Sequence, residues 1–443
     1  MRAIPVHFTP DLTTSLPSNG RALPLSDDRA FRTGRQRPLI LLTTTCHLPS
    51  TARVAMELHD AGADVALLSP ADHPGRVMAF LSSRLRYRAL RPIHALRRAI
   101  ERTVPDLIIP CDERAVRHLH GLYEVADRPD IRRVIEFSLG PASSFGISTT
   151  RHDLLMRARQ VGVRVPDSMA LTSADGLDAW AEGHAFPAVL KADGSWAGLG
   201  VRIAQDLAGA RETFRTMVRP VRGLLALREM VLEHDLFWLR PWLTRARPAM
   251  SIQGYVDGWP ANCAVACWQG EVLAGICAEA VTTTSTTGPS TVARVIDNPE
   301  MIEAASRVVR ALGLTGLIGF DFMIEAATGA SYMIEMNPRC TPIATVRLGP
   351  NRDLMEALVA SVSGRAMRER VPVTERDVIV YFPHTWRQDP SSVFLRTGYH
   401  DVPWEQPELV RALMRPELRE RYWVMRLLRK LWHASRGTSG GHT

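Results

Sequence analysis

The first third of the chain alternates short, wholly apolar runs with stretches of helical periodicity. Strands are predicted at 38–43, 63–68 and 106–109, and helices at 51–61, 93–102 and 113–125. Alternation of this kind predicts a doubly wound parallel sheet. In such sheets ligands bind at the carboxyl ends of the strands, which here are residues 43–46 and 110–113. No G-x-G-x-x-G motif follows the first strand, so dinucleotide binding is not expected.

The following part of the chain has a mixed pattern. Strands are expected at 187–191, 201–203, 249–255, 261–268 and 272–280, with helices at 150–161, 299–312 and 353–361. The segment 282–291 is rich in Thr and Ser. It is either a substrate-covering loop or a flexible linker. From residue 371 onward we expect a separate, smaller appendage.

The most informative alternation is G-L-I-G-F-D-F-M-I-E-A-A-T-G-A-S-Y-M-I-E-M-N-P-R, residues 316–339. It predicts a hairpin with strands at 319–325 and 331–337, joined by a turn that contains Thr-Gly. If the five residues between the strands form the loop, Glu325 faces Ser331.

Counting back from that pair places Asp321 opposite Glu335, and Asn337 projects from the same face. Two carboxylates that are directly opposed repel each other, so a positive group is expected between them. Carboxylate and amide oxygens suit Mg²⁺ that also contacts substrate phosphates. The alternative is a surface acidic pair, but the apolar neighbours on both sides argue against a freely solvated face.

The composition predicts a large protein of several domains. The 443 residues are 46% hydrophobic and 23% charged, which is enough for two or three domains with cores of their own. No apolar run reaches the length of a membrane span, and no signal-peptide pattern opens the chain. The six cysteines are scattered without a zinc-site pattern. We therefore expect a cytoplasmic, reduced protein.

The positive charge is concentrated near the end of the chain. The formal net charge is +8, and residues 411–436 contain eight Lys or Arg and two Glu, a local net of +6. The remainder is near neutral, so no nucleic-acid partner is expected. The basic segment repeats apolar residues at helical spacing. It either packs on the body, binds a partner or makes peripheral contact with an anionic membrane.

Lysine is almost absent from the chain. Of 54 basic residues, only Lys191 and Lys430 are lysines. Lys191 lies in A-V-L-K-A-D-G-S-W-A-G-L-G-V, where a predicted strand leads into a glycine-rich loop. Backbone N–H groups in such a loop can surround phosphate oxygens while an ammonium neutralises them. No G-K-[ST] motif opens a helix, so this is not a Walker A loop, and an ordinary hairpin is the alternative.

The combination of these two motifs resembles the ATP-grasp superfamily of carboxylate–amine ligases, over roughly residues 39–363. The resemblance implies α/β and α+β architecture, an ATP-grasp fold preceded by a Rossmann-like parallel α/β domain. The implied order is a loose arm (1–37), the pre-ATP-grasp domain (38–148), a central subdomain (149–248), a C-terminal subdomain with the metal site (249–365) and a family-specific extension (366–443).

The resemblance also implies roles for individual residues. Asp321, Glu335 and Asn337 match the metal ligands, which usually hold two Mg²⁺ against ATP, with Mn²⁺ as a substitute. Catalytic roles fall to Lys191 and Arg339, which contact the phosphates and the transferred phosphoryl group. ATP contacts are implied for Lys191, Gly194, Ser195, Gly198, Gln253, Tyr255 and Val256. Gln253 stands where many members have Glu.

Two arginines complete the candidate set. Arg151 occupies the position of a second phosphate-binding lysine, eleven residues before Gly162. Its positive charge is retained, but its geometry differs. Arg294 is the third candidate catalytic residue, for binding the acidic end of a substrate or an acyl phosphate, with a plain surface arginine as the alternative.

The implied reaction has two steps. A carboxylate attacks the γ-phosphate of ATP to give an acyl phosphate and ADP, and an amine then displaces phosphate to form an amide. The alternatives are an ATP-grasp phosphotransferase that stops at a phosphorylated small molecule, and a non-catalytic ATP-binding scaffold. Small-molecule acids and amines are the expected partners, a homodimer is left open, and no general base is evident.

Overall fold

The computed structural model describes residues 35–193, 200–218, 243, 248–285 and 288–415. The predicted N-terminal arm up to residue 34, the core of the glycine-rich loop and the basic segment after residue 415 lie outside the described residues. Within the described ranges, no helix combines the length and the apolar character needed to cross a membrane.

The first sheet is four-stranded and parallel, as the alternating pattern predicted. Its strands are β1 (Leu39–Thr43), β2 (Asp64–Ser69), β3 (Ser83–Arg86) and β4 (Leu107–Pro110), in the order β3-β2-β1-β4. Its helices are α1 (Pro49–Asp60), α2 (Pro92–Thr103), α3 (Glu113–Val125) and α4 (Pro129–Leu139). The sequence analysis missed β3, because this short edge strand carries exposed arginines rather than an apolar run.

The second sheet has four antiparallel strands. These are β5 (Ser168–Leu171), β6 (Ala188–Ala192), β7 (Val201–Ala204) and β8 (Met250–Gly254), in the order β5-β8-β6-β7. The helices of this part are α5 (Phe145–Thr149), α6 (Arg151–Gln160), α7 (Asp175–Gly183) and α8 (Leu207–Met217). The sheet has its own small core around Trp180 and Ile252.

The third sheet has seven strands and carries the predicted hairpin. Its strands are β9 (Gly258–Trp268), β10 (Glu271–Thr283), β11 (Ser290–Ile296), β12 (Gly316–Glu325), β13 (Ser331–Asn337), β14 (Val378–Val380) and β15 (Tyr399–His400). The order is β13-β12-β9-β10-β11-β14-β15. The remaining helices are α9 (Pro299–Leu312), α10 (Leu354–Ser363), α11 (His384–Gln388), α12 (Phe394–Thr397) and α13 (Pro407–Leu413).

The expectation of a separate appendage after residue 371 is wrong for the described part of it. β14 pairs antiparallel with β11, and β15 pairs parallel with β14, so this region extends the large sheet. The buried guanidinium of Arg53 on α1 also forms an ion pair with the buried carboxylate of Asp401. The sequence missed this because β14 and β15 are too short to show a strand period on their own.

The large sheet is buried on both faces. One face joins the parallel sheet and α10 in a single core that includes Leu58, Ala264 and Leu358. The other face packs on α6 and α9 in a core that includes Phe320 and Val308. The hairpin is therefore held rigidly from both sides, which is what a positioned set of polar ligands requires.

Candidate active site

The hairpin brings Asp321 and Glu335 directly opposite each other, as the sequence predicted, but through a different register. At the turn, Ser331 pairs with Ile324 and not with Glu325. The ladder then shifts between Asp321 and Phe322, because β13 contains one extra residue, Ile334. The two departures cancel, so the carboxylate pair forms because of a β-bulge that the sequence analysis did not foresee.

The bulge supplies a binding partner for Lys191. The Nζ atom of Lys191, on β6 of the central sheet, donates a hydrogen bond to the main-chain oxygen of Ile334 at 3.1 Å. Lys191 is only 5% exposed. Burial lowers the pKa of its ammonium to about 8, with Arg151 acting in the same direction, while Glu335 and Asp321 oppose the shift. The ammonium thus lies within electrostatic reach of the two carboxylates of the hairpin.

Arg151, on α6, contacts both the hairpin and the end of β6. As the first residue of α6, it donates from Nε and Nη2 to the same oxygen, Oε1 of Glu335, at 3.0 and 2.8 Å. Its Nη1 donates to the main-chain oxygen of Ala192 and lies 3.8 Å from Asp193. Burial would raise the pKa of Glu335, but Arg151 and Lys191 outweigh it and lower that pKa. Glu335 is therefore held as a carboxylate.

Asp321 is surrounded by amides. Asn262 donates to its Oδ1 at 2.7 Å, and Asn337 donates to its Oδ2 at 2.8 Å. Arg339 in turn donates to Oδ1 of Asn337 at 3.1 Å. Burial raises the pKa of Asp321 and the nearby Glu335 charge adds to the effect, although the two amides and Arg339 oppose it. A cation bound between the two carboxylates would stabilise the charged form of Asp321 and so lower its pKa.

Two residues of the site were not among the predicted ones. Asn262 on β9 lies opposite Asp321 in the sheet register and also accepts a hydrogen bond from Thr341 at 3.2 Å. Asp193 follows β6 and lies beside Arg151. A lone amide in the otherwise apolar run A-N-C-A-V-A-C-W was the available signal for Asn262.

The predicted nucleotide-contacting residues lie where the central and large sheets join. Gln253 is on β8, is 2% exposed, and its Nε2 has no hydrogen-bond partner among the described residues. Tyr255 and Val256 follow it in the connection to β9, with Tyr255 40% exposed and Val256 buried. A buried, unsatisfied amide is costly, so Gln253 suits a ligand that offers an acceptor. Gly194, Ser195 and Gly198 lie outside the described residues.

Arg294 is not brought to this site. In the sheet, Arg294 pairs with Glu279 on β10, which pairs with Ala261 on β9, which in turn pairs with Phe322 on β12. Paired residues share a face, and Phe322 points to the opposite face from Asp321. Arg294 instead forms ion pairs with Glu279 at 3.0 Å and Asp377 at 3.7 Å. These contacts correspond to the surface-arginine alternative.

The donor set suits a hard cation. Asp321, Glu335 and Asn337 offer carboxylate and amide oxygens on one face, which is the ligand type that Mg²⁺ prefers. No cluster of three or more His, Cys, Asp or Glu side chains that could hold a metal occurs in the described parts of the chain. Any metal at this site would therefore depend on two carboxylates, the amide and oxygens supplied by a bound nucleotide.

Comparison with known proteins identifies the fold. The fold is the ATP-grasp fold, with a parallel α/β sheet ahead of it. Residues 239–342 match the family model described as an ATP-grasp domain. The chain therefore carries an ATP-grasp domain, and the predicted resemblance to the ATP-grasp superfamily is confirmed at the level of the fold. A search of curated protein sequences found no match.

Solved structures with this fold include several nucleotide complexes. The chain is similar to the N5-carboxyaminoimidazole synthetase of Staphylococcus aureus with ADP (TM-score 0.53, 15% identity, 75% of this chain and 78% of that one). It is also similar to the biotin carboxylase domain of Hydrogenobacter thermophilus 2-oxoglutarate carboxylase with MgADP and bicarbonate (0.53, 12%, 75% and 70%). A third is the L-amino acid ligase of Bacillus licheniformis (0.52, 15%, 77% and 79%).

Proposed function

We propose that the chain is an ATP-dependent carboxylate–amine ligase that forms carbon–nitrogen bonds and releases ADP. The observation that carries the proposal is the convergence of Lys191 and Arg151 on the bulged hairpin that bears Asp321 and Glu335. Cations and carboxylates that meet in a buried site suit phosphoryl transfer, in which catalysis is mainly positioning and charge stabilisation.

In this proposal the hairpin holds the metal. Asp321, Glu335 and Asn337 would bind Mg²⁺, two ions being expected and Mn²⁺ a substitute. Bound Mg²⁺ neutralises phosphate oxygens and so favours attack at the γ-phosphate. Two observations support a metal here: the three side chains offer oxygen ligands, and the buried carboxylate of Asp321 lies near the negative charge of Glu335. Nucleotide binding is supported by Gln253, whose buried Nε2 has no partner within the part of the chain that the structure describes.

The cations of the site have separate tasks. Lys191 would place its ammonium against the transferring phosphoryl group while its bond to Ile334 fixes its direction. Arg339 would steady the acyl phosphate. Arg151 holds Glu335 as a carboxylate and in a single orientation, so its role here is wider than that of a phosphate-binding lysine. The glycine-rich loop would close over the phosphates and exclude water.

The acid and the amine are expected to be small molecules. We propose that the enzyme acts in the cytoplasm, because its six cysteines are all free thiols, as a reducing compartment favours. The domain boundaries stated from the sequence also remain proposals. Each of the three sheets lies mainly within one of the three proposed central segments, with β8, β14 and β15 as the exceptions.

The test is a hydroxylamine trap. The protein is incubated with Mg-ATP, hydroxylamine and pooled carboxylic acids, and hydroxamates and ADP are measured by mass spectrometry. A hydroxamate formed together with ADP is the expected result and identifies the acid. A stable phosphoester without hydroxamate would indicate the phosphotransferase instead. ATP binding without turnover for any acid would indicate a scaffold.

A further inference from the structure

A histidine–aspartate pair lies at the carboxyl edge of the parallel sheet, in the loops that follow β1 and β2. Nε2 of His47 is 2.7 Å from Oδ1 of Asp72. Since a carboxylate only accepts hydrogen bonds, Nε2 donates to Asp72, and Nδ1 is the ring nitrogen that faces away from this pair. No residue of the described ranges bonds to that Nδ1, and the side chain is 30% exposed. The imidazole is therefore oriented by Asp72, and its Nδ1 is open to a ligand.

Asp112 forms hydrogen bonds with the loop that carries His47. The Asp112 carboxylate accepts hydrogen bonds from the backbone N–H of Thr45 at 2.6 Å and from the hydroxyls of Thr45 and Thr44, both at 2.9 Å. Asp112 also caps α3 through the N–H of Ala115. The histidine is thus held on rigid elements, as a catalytic group must be.

This edge lies against the segment that follows Arg339, because α1, which begins two residues after His47, packs on the turn Pro342–Thr345. Burial raises the pKa of the Cys46 thiol to about 12 and Asp112 adds to the shift, while the charges of Arg114 and Arg339 oppose it. Arg339 thus lies within electrostatic reach of the residue beside His47. Burial would lower the pKa of Arg151, but Glu335, Asp193 and Glu113 on α3 together raise it.

Neighbouring groups at this edge do not compete as bases. The Cys46 thiol stays protonated at neutral pH, as the direction of its pKa shift requires. His73 stacks on His47 with ring centroids 6.1 Å apart, and its Nδ1 accepts a hydrogen bond from the N–H of Gly75. Burial lowers the pKa of His73 to about 3, and its electrostatic interaction with His47 acts in the same direction. Asp72 is bound to His47 itself.

We propose that His47 is the catalytic base for the amine, with Asp72 as its positioning residue; this rests on the ligase function proposed above. Nδ1 of His47 takes a proton from the substrate ammonium, and the imidazolium is paired with Asp72. The freed amine attacks the acyl-phosphate carbon, the C–N bond forms, and the C–O bond to phosphate breaks with its electron pair leaving on phosphate. Phosphate takes the second nitrogen proton, and His47 returns its proton to water.

The test compares two nucleophiles of the same size. Methylamine is largely protonated at neutral pH and needs a base, whereas hydroxylamine is a much weaker base and is largely neutral. Full-length wild type and His47→Gln are compared with the acid found by the hydroxylamine trap. We expect His47→Gln to slow N-methylamide formation by about 100-fold or more, while hydroxamate formation stays within about twofold. Raising the pH should narrow the difference, because methylamine then loses its proton to solvent.

Two further variants complete the design. Asp72→Asn should slow N-methylamide formation less than His47→Gln does, and His94→Gln, which alters an exposed histidine on α2, should change neither product. Equal losses with both nucleophiles would show a structural role for His47 and overturn the proposal. So would a wild type that forms hydroxamate but no N-methylamide. If the wild type forms no hydroxamate with any acid, the ligase function itself fails.

Discussion

The ammonium of Lys191 donates its hydrogen bond to the main-chain oxygen of Ile334, the residue that bulges from β13 directly before Glu335. This contact joins the central sheet to the hairpin. An extra residue in a strand leaves a carbonyl outside the regular ladder, and here that carbonyl serves the lysine. The same irregularity also restores the pairing of Asp321 with Glu335, so one bulge sets both the carboxylates and the cation beside them.

Lys191→Ala should reduce acid-dependent ADP release by roughly 100- to 1,000-fold, the range seen when one fixed electrostatic contact to a transition state is removed. Lys191→Arg should also fail, because a planar fork cannot take the place of a buried ammonium that bonds to one carbonyl. The measurement is the steady-state rate of ADP release. Lys430→Ala, at the only other lysine of the chain, should retain full turnover. Loss of less than half the rate in Lys191→Ala would remove Lys191 from the mechanism.

The sequence predicted the strands and helices of this site better than the contacts between them. The alternation in residues 316–339 was strong enough to identify both strands of the hairpin and to place Asp321 opposite Glu335. The bulge at Ile334 could not be foreseen, because nothing in Y-M-I-E-M-N distinguishes an extra residue from regular alternation. The contact of Arg151 with Glu335 joins residues 184 positions apart, and depends on how α6 packs against the hairpin.

Glu335→Gln should weaken metal binding, since it removes the charge of one of two carboxylates. We expect the Mg²⁺ concentration for half-maximal turnover to rise about tenfold or more, and Mn²⁺ binding followed by electron paramagnetic resonance to weaken in parallel. Glu279→Gln is a matched control: its carboxylate is 22% exposed and bound to Arg294, while that of Glu335 is 21% exposed and bound to Arg151. Near-wild-type turnover of Glu335→Gln under limiting Mg²⁺ would rule out the metal assignment.

Arg294→Ala should leave turnover unchanged, contrary to the catalytic role considered from the sequence. Its side chain is 46% exposed and pairs across the strands with Glu279, on the face opposite to Asp321. An exposed ion pair of this kind contributes roughly 0–1 kcal/mol, so the thermal midpoint should shift by only a few degrees. A loss of turnover by more than about tenfold with an intact fold would return Arg294 to the site.

The difference between Arg294 and Asn262 shows what the sequence lacks. Arg294 was a candidate because its charge suits the acidic end of a substrate or an acyl phosphate, whereas Asn262 is a small amide within an apolar run. Only the register of four neighbouring strands places Asn262 beside Asp321 and Arg294 on the far face. Pairing partners of this kind come from tertiary structure, and a single sequence does not contain them.

The last prediction concerns stability and pH at Glu356, on α10. Its fully buried carboxylate binds the guanidinium groups of Arg365 and Arg368 and accepts the backbone N–H of Arg368 at 2.7 Å. Both arginines also donate to the main-chain oxygen of Ala61, so the cluster joins α10 to the end of α1. Burial alone would raise the pKa of Glu356, but the hydrogen bonds from Arg365 and Arg368 lower it to about 2.

A carboxyl whose pKa is lower in the folded than in the unfolded state stabilises the protein above its unfolded pKa, and this contribution is lost as pH falls toward the folded value. Glu356→Gln should therefore lower the free energy of unfolding by roughly 2–4 kcal/mol near pH 6, and the difference from wild type should shrink as pH falls toward about 3. Urea unfolding across this range measures it. Glu303→Gln, which breaks the exposed pair with Arg307, should cost little at any pH. A constant difference between wild type and Glu356→Gln at all pH values would mean that packing, and not the charge of Glu356, stabilises the contact between α10 and α1.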